Sequence, residues 1–414
     1  MRKVLVCLLT LALVLGCMSV QAEGVLTPGT YTSTMTAMHG PMTVEVTVTD
    51  SAITSVEVVD QVETPGVTDP VFEKIPAAIV DNQTTAVDTI TGATVSSRVL
   101  IAAVQDCLKQ AGDTEGVFSK ELEKAPAEDV TLSADVIIVG GGGAGLAAAV
   151  SASDEGASVI VIEKTGFLGG NSIVAGGIYN APDPELQDYA EISGDQDSLV
   201  EAALAEEPVS EEHAELQDAV RLEFEAYQKT DKTLFDSANW FALQTWNGGD
   251  KIADLDLVKV LTAGAYPALE WLESMGMEFN DFVTLGGGSL YPRTHGATTP
   301  NGTGYIKAFT NTLADRENVQ ILMDTTGKSL ITDGDKVVGV NATGRDGNAV
   351  TLMANKGVIL ATGGFAGNVE LRQKYCEGEK WPDLGPSLTT SNMPGVTGDG
   401  IFMAEAVGAE LVDM

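Results

Sequence analysis

Between residues 42 and 59 apolar and polar positions alternate. Met42, Val44, Val46 and Val48 share one parity; after the turn Thr49-Asp50-Ser51, Ile53, Val56 and Val58 continue the pattern. A period near two predicts a β-hairpin with one buried face. The period then lengthens. Residues 76–80 predict a short helix with Pro76 at its first position, where proline is tolerated. Residues 96–111 predict a longer one, striped by Val99, Leu100, Ala103, Val104 and Leu108. Residues 113–133 are acidic and lack strong periodicity, which predicts a solvated linker. Asp135-Val136-Ile137-Ile138-Val139 then reads as a buried strand, 146–153 as a helix, and Ser158-Val159-Ile160-Val161-Ile162 as a second strand. An acidic helical region follows between 195 and 236, then an amphipathic helix at 257–275. Two strands flank the turn Thr332-Asp333-Gly334-Asp335, and Val358-Ile359-Leu360-Ala361 forms another.

The first 22 residues follow a different rule. Arg2 and Lys3 precede an apolar run at 4–16, and Val20-Gln21-Ala22 resembles a small-residue cleavage site. This predicts a signal peptide at 1–22 and an exported protein, periplasmic or otherwise extracytoplasmic. Val14-Leu15-Gly16-Cys17 also resembles a lipobox, so a lipid anchor on Cys17 stands beside simple cleavage.

Charge narrows the partners. The 414 residues hold 23 Lys+Arg against 59 Asp+Glu, a net charge of −36. A field this negative argues against nucleic acid as a partner. Yet 44% of residues are hydrophobic and 45 are glycine, which fits a globular α/β chain rather than a disordered acidic one. Beyond the leader only Cys107 and Cys376 remain, in unrelated contexts, and read as inert thiols. No Cys-x-x-Cys-His occurs, which excludes covalent c-type haem. No metal site is expected.

The strand at 135–139 runs into Gly140-Gly141-Gly142-Gly143-Ala144-Gly145, and a helix follows. Gly140 allows a tight turn, Gly142 lets backbone approach a pyrophosphate, and Gly145 permits close helix–strand packing. The helix N-terminus offers free N–H groups to phosphate. The second strand ends in Glu163, the expected acid for a ribose hydroxyl. Strand, glycine loop, helix, strand and acid together predict dinucleotide binding. The fold class is α/β: a Rossmann-like parallel-sheet domain at 134–414, preceded by a small α+β domain at 24–112.

Further residues separate FAD from NAD. Glu163-Lys164, Gly169-Gly170-Asn171-Ser172 and Ala175-Gly176-Gly177 resemble the fumarate reductase/succinate dehydrogenase flavoprotein family. Arg293-Thr294-His295, Ala361-Thr362-Gly363-Gly364-Phe365 and Gly395-Val396-Thr397-Gly398-Asp399-Gly400 extend the resemblance. It implies one non-covalent FAD surrounded by these stretches, with Asp399 and Gly400 toward the flavin end. A structural or flavin-neighbour role is expected for His295, a surface position for His213, and Arg293 is the one plausible pocket cation.

In the first domain Asp88-Thr89-Ile90-Thr91-Gly92-Ala93-Thr94 leads into a helix. An ordinary helix cap is one reading. The segment also resembles the flavinylation motif of FMN-binding domains, and Glu63-Thr64-Pro65-Gly66 matches another element of that family. The resemblance implies FMN esterified to Thr94 by a flavin transferase. The whole resembles haem-free, exported relatives of flavocytochrome c that reduce fumarate, urocanate and related α,β-unsaturated carboxylates. In them electrons pass from a membrane donor, quinol- or flavin-linked, through FMN to FAD. An electron-transfer module without its own substrate chemistry is the alternative. The family's His-Pro-Thr and Thr-Glu-x-x-Arg segments, with its catalytic arginine, would follow the stretch matching 408–414. The FAD domain is therefore expected to be incomplete in this sequence, without its capping domain, and no catalytic residue is assigned.

Overall fold

The alternation at 42–59 becomes a sheet. The computed structural model describes residues 25–90, 92–121, 127–187, 195–286, 291–376, 384–412 and 414. The expected leader lies outside them. The chain divides into two compact units, Met1–Thr64 with Thr68–Lys124, and Pro65–Val67 with Ala125–Met414.

In the first unit β1 (Gly29–Thr36), β2 (Pro41–Val48) and β3 (Ile53–Asp60) pair antiparallel in that order. Met42, Val44, Val46 and Val48 are all buried, as their shared parity requires. A register shift between Thr47 and Val48 lets Ile53 and Val56 both face the core despite their odd spacing. β1 was not expected. Its outward positions are Thr30, Thr32, Thr34 and Thr36, and only Ser33 opposite them is fully buried, so it carries no apolar alternation. Two helices, α1 (Asp69–Asn82) and α2 (Thr94–Ala111), pack on the sheet. α1 corrects the expected short helix at 76–80. It starts seven residues earlier, with a proline in its first turn, and Pro76 sits inside it. An interior proline costs a helical hydrogen bond. Burial of Val71, Ile75, Pro76 and Ile79 along one face offsets that loss.

The linker expected at 113–133 is shorter at both ends. Asp113 is buried, and its carboxylate accepts the Val117 and Phe118 amides at 2.7 and 3.0 Å. Phe118 is buried, and Thr84 Oγ1 donates to the Lys120 carbonyl. At the far end, Val130 already belongs to a strand.

The second unit is built on a six-stranded sheet. β4 (Val130–Val139), α3 (Gly143–Asp154) and β5 (Val159–Ile162) make its strand–helix–strand crossover. β6 (Ile178–Asn180) departs from it into a helical region of α4 (Gln196–Ala205), α5 (Glu211–Tyr227), α6 (Ala238–Gly248) and α7 (Leu255–Ser274). Asp195, Ser210, Ser237 and Asp254 cap these helices through their side-chain oxygens. Their core is Phe224, Phe235, Trp240, Leu243 and Trp246. β7 (Phe279–Thr284) and β8 (Thr294–Ala297) join β6 in a small sheet ordered β6-β8-β7. Then α8 (Thr303–Ala314) and β9 (Val319–Leu322) return to the large sheet. It is completed by β10 (Thr326–Asp333), β11 (Lys336–Thr343) and β12 (Ala349–Leu360), and two short helices follow, α9 (Val369–Tyr375) and α10 (Asp399–Glu405).

The large sheet runs β10-β11-β12-β4-β5-β9. β12, β4, β5 and β9 are parallel; β10 and β11 form the antiparallel hairpin expected around Gly334. β5 is buried on both faces, as is the end of β4 at 137–139, hence the unbroken apolar runs there. Among the described residues no helix is long and apolar enough to cross a membrane.

Candidate functional site

Parallel strands place their carboxyl ends on one edge, and loops gather there. β4, β5 and β12 end in Val139, Ile162 and Leu360. The segments after them carry the expected glycines, acid and threonine.

Gly140 turns the chain sharply out of β4, with φ 112°. A Cβ there would lie 2.4 Å from the Ala361 carbonyl oxygen, so only glycine fits. Gly145 is tighter still: its Cβ would fall 1.9 Å from the Gly140 oxygen. These two contacts bring α3 down onto β4 and aim its first turn at the sheet edge. Gly142 is the N-cap of α3, and Gly143 and Ala144 open the helix. First-turn amides have no intrahelical acceptor and carry the positive end of the helix dipole. A Cβ on Gly142 would meet, among the described residues beyond its own chain neighbours, only the Gly169 oxygen at 3.8 Å. Backbone there can be approached closely by an anion.

Glu163 follows β5 and is buried. Its Oε2 accepts the Gly141 amide at 2.9 Å, and its Oε1 accepts the Thr165 amide and hydroxyl, both at 2.8 Å. A carboxylate oxygen accepts two hydrogen bonds, so Oε2 keeps one position for a hydroxyl donor. Lys164 turns the other way. Its Nζ lies 2.6 Å from Asp399 Oδ2 and 2.8 Å from Thr397 Oγ1, and Thr397 in turn donates to Asp399 Oδ1.

Gly169 and Gly170 begin a short 3-10 helix, Gly170–Val174. Gly169 bridges to Gly142, and Ser172 Oγ accepts the Gly143 amide at 3.2 Å. Asn171 Oδ1 accepts the Met393 amide at 2.7 Å. Gly176 and Gly177 lead from this helix into β6. After β12, Thr362 packs against Gly400, where a Cβ would sit 2.1 Å from Thr362 Oγ1. Gly364 accepts the Gly398 amide, and Gly363 lies between, beside Val396. The loops after β4, β5 and β12 thus meet as a wall along one edge of the sheet, through Gly140 with Ala361, Glu163 with Gly141, Lys164 with Asp399 and Thr362 with Gly400, whereas Gly177 packs against Asn301. Sequence reasoning missed two residues that meet these loops: Thr165, and Asn392, whose Oδ1 accepts a hydrogen bond from Asn171 Nδ2. Thr165 stands two positions past the acid, a signal visible only once Glu163 is known to need donors.

Arg293 and His295 have no hydrogen-bond partner in this wall. Arg293 is buried and grips Asp236 with two bonds, at 2.8 and 3.1 Å, and also Gln244. Its guanidinium lies 4.3 Å from the Phe241 ring centre. Burial pushes the Asp236 carboxyl up, and the guanidinium opposes that shift. Arg293 is therefore an internal tie and not the expected pocket cation. His295 is also buried, between Asp183 at 3.2 Å and the Tyr179 carbonyl at 3.3 Å. Burial disfavours charge on Asp183, but the His295 bond and the Glu185 and Leu186 amides outweigh it and hold this carboxyl below its usual range. His213, expected at the surface, is completely buried. Its Nδ1 accepts the Val209 amide, its ring meets Trp246 edge-on, and burial lowers its pKa. The surrounding charges misled the assignment: one face of an acidic helix is still core.

In the first unit Thr94 is the first residue of α2. The cap position belongs to Ala93, which has no side-chain oxygen, so the Thr94 hydroxyl is not the helix cap. Ser97 Oγ receives the Ile90 amide and donates to the Ala93 carbonyl, which ties the preceding turn. Glu63 reaches the same helix through Ser96.

Fold and site define a flavin-dependent class of two-domain chain. A family model for the FAD binding domain matches residues 135–230 and 224–414, and one for the FMN-binding domain matches 38–109. The chain belongs to the FAD binding domain family and carries an FMN-binding domain ahead of it. It is 34% identical over 405 residues to NADH:acrylate oxidoreductase of Vibrio harveyi, covering 93% of this chain and 40% of that protein. It is 31% identical over 388 residues to urocanate reductase of Eggerthella lenta, covering 93% and 56%. Among solved structures, the open conformation of a flavocytochrome c3 fumarate reductase superposes with a TM-score of 0.51 and 26% identity, covering 69% of this chain and 41% of that one. The chain thus spans between 40 and 56% of the two curated relatives.

Proposed function

We propose that the protein to which this chain belongs is an exported flavin-dependent reductase of a small α,β-unsaturated carboxylate. One observation carries the reading: an FMN-binding domain and an FAD binding domain stand in one chain that aligns along 93% of its length with an acrylate oxidoreductase and with a urocanate reductase.

The residues of the second unit fit FAD. The amides of Ala144 and Gly145 in the first turn of α3, and that of Gly143 by exchange of its bond to Ser172 Oγ, would receive the pyrophosphate, with Gly140 and Gly142 shaping the approach. The remaining acceptor position on Glu163 Oε2 would take a ribose hydroxyl. Gly169, Gly170, Asn171, Ser172, Gly176 and Gly177 would line one side, and Thr362, Gly363, Gly364, Asp399 and Gly400 the other. Lys164 holds Asp399 and so fixes the second side to the end of β5. Bound FAD supplies the hydride that a C=C reduction needs. The chain's part is to bind it, orient it and exclude water. Arg293 and His295 are committed to Asp236 and Asp183, so neither is assigned as the proton donor.

FMN on Thr94, attached by a flavin transferase, would pass electrons from a membrane donor, quinol- or flavin-linked, to FAD. Covalent attachment suits export, because a protein outside the cytoplasm cannot recover a diffusible cofactor. An electron-transfer module without substrate chemistry is the second reading, favoured by the commitment of Arg293 and His295 to the buried Asp236 and Asp183. Reduction of the flavin with dithionite, then addition of acrylate, urocanate or fumarate, separates the two. A reductase is reoxidised by at least one; no reoxidation by any supports the carrier.

A further inference from the structure

We infer that Glu63 is the positioning residue that presents Thr94 for flavin attachment; the inference rests on the reading of Thr94 as the acceptor. Glu63 has a side chain only 2% exposed, and His39 Nδ1 lies 3.6 Å from it. Among the described residues no Lys or Arg pairs with it. One carboxylate oxygen accepts the His39 amide at 2.8 Å, the other the Ser96 hydroxyl. Burying an unpaired carboxylate is costly. Two donors and the positive end of α2 reduce that cost.

The geometry shows what the carboxylate holds. His39 lies in the turn joining β1 to β2, closed by the Ala37 amide on the Gly40 carbonyl. Ser96 is the third residue of α2, and Thr94 is the first. Gln61 Oε1 accepts the Glu63 amide at 2.6 Å and fixes the arm after β3. Glu63 therefore clamps the first turn of α2 to the sheet from one side. Ser97 clamps the preceding turn from the other, through Ile90 and Ala93. Ser96 and Ser97 are buried by these bonds, whereas Thr94 between the clamps is half-buried. A partly exposed residue on a fixed backbone is what a transferase must find.

Attachment forms a bond between Thr94 Oγ1 and the phosphorus of the flavin's ribityl phosphate. It breaks the pyrophosphate bond of a flavin dinucleotide donor, releases the adenylate half, and passes the hydroxyl proton to a base of the transferase. Glu63 takes no part in the bond changes. It acts through Ser96.

The test incubates the full chain with a flavin transferase and FAD and follows the adduct on Thr94 by peptide mass spectrometry. Glu63→Gln turns one acceptor into a donor and leaves the bond to Ser96 uncharged. The maximal rate is expected to fall about tenfold, with the chain concentration for half-maximal rate unchanged. Ser96→Ala should fall at least as far, and the double variant no further than Ser96→Ala alone, because both act on one contact. A wild-type rate in Glu63→Gln overturns the inference, as do losses that add in the double variant. If Glu63→Gln does not fold, a wild-type rate in Ser96→Ala overturns it alone. If wild-type Thr94 is never modified, the acceptor reading itself falls, and this inference with it. If wild type is modified and the variants keep pace, only the role of Glu63 falls.

Discussion

The glycine wall and the small β6-β8-β7 sheet belong to the same unit but are built by opposite means. The wall is made of backbone. At the start of α3 the Gly143 amide meets the Ser172 hydroxyl, those of Ala144 and Gly145 have no intrahelical acceptor, and the buried Glu163 keeps an acceptor position free. The small sheet carries two buried polar pairs, the Arg293 ion pair with Asp236 and the His295 hydrogen bond to Asp183, each with side chains under a tenth exposed. Open donors bind a ligand; saturated pairs hold a shape. The difference teaches that a cationic residue in a family-like motif is no guide to function until its partner is known.

Four experiments sharpen or break that contrast. The largest effect is expected at Gly145. Gly145→Val places a side chain where 1.9 Å separates a Cβ from the Gly140 oxygen, so α3 must move off β4. Purified protein should carry no FAD by absorbance, and a variant retaining one FAD per chain would refute the close approach. Next is Asp236→Ala, which leaves the Arg293 charge buried and unpaired. About 3–5 kcal/mol should be lost in denaturant unfolding. Replacing both by Leu and Met should restore most of it, which would confirm an internal tie rather than a catalytic pair.

A smaller effect is expected from acid. Asp183 is held below its ordinary value of 3.8, so its ionised form stabilises the fold at higher pH. That contribution is lost as pH falls from about 4 through the lowered folded value. His295→Gln should lower Tm at neutral pH, and the gap from wild type should shrink below about pH 4. A gap constant with pH would show that the pair carries no such linkage. The smallest effect is Lys164→Gln. The Lys164 and Asp399 side chains are 26 and 33% exposed. About 0–1 kcal/mol of stability is at stake, less at high salt. A weaker hold on FAD with little change in Tm is expected, read by titrating FAD into stripped protein. A large drop in Tm would instead make this pair part of the core.

Much of the wall was legible because its chemistry is local. Gly140 to Gly145, Glu163 and Lys164 sit within one strand–helix–strand unit, and their order follows from chain sterics. Asp399 and Thr362 were placed only by resemblance, since nothing local ties position 399 to position 164. β1 escaped notice because its exposed face is threonine and its inner face has one fully buried side chain. The early start of α1 escaped because Pro76 suggested a first turn rather than an interior position.

The sequence by itself determined the strand period, the glycine turn, the acid at the end of β5 and the order of the two domains. Each follows from rules acting over a few neighbouring residues, where covalent geometry and periodicity dominate. Only the tertiary structure decided which charges are spent. Arg293 lies 57 positions from Asp236, and His295 lies 112 from Asp183. Glu63 lies 33 from Ser96. A buried charge takes its meaning from its partner, and the partner is set by packing across the fold, which no local pattern encodes.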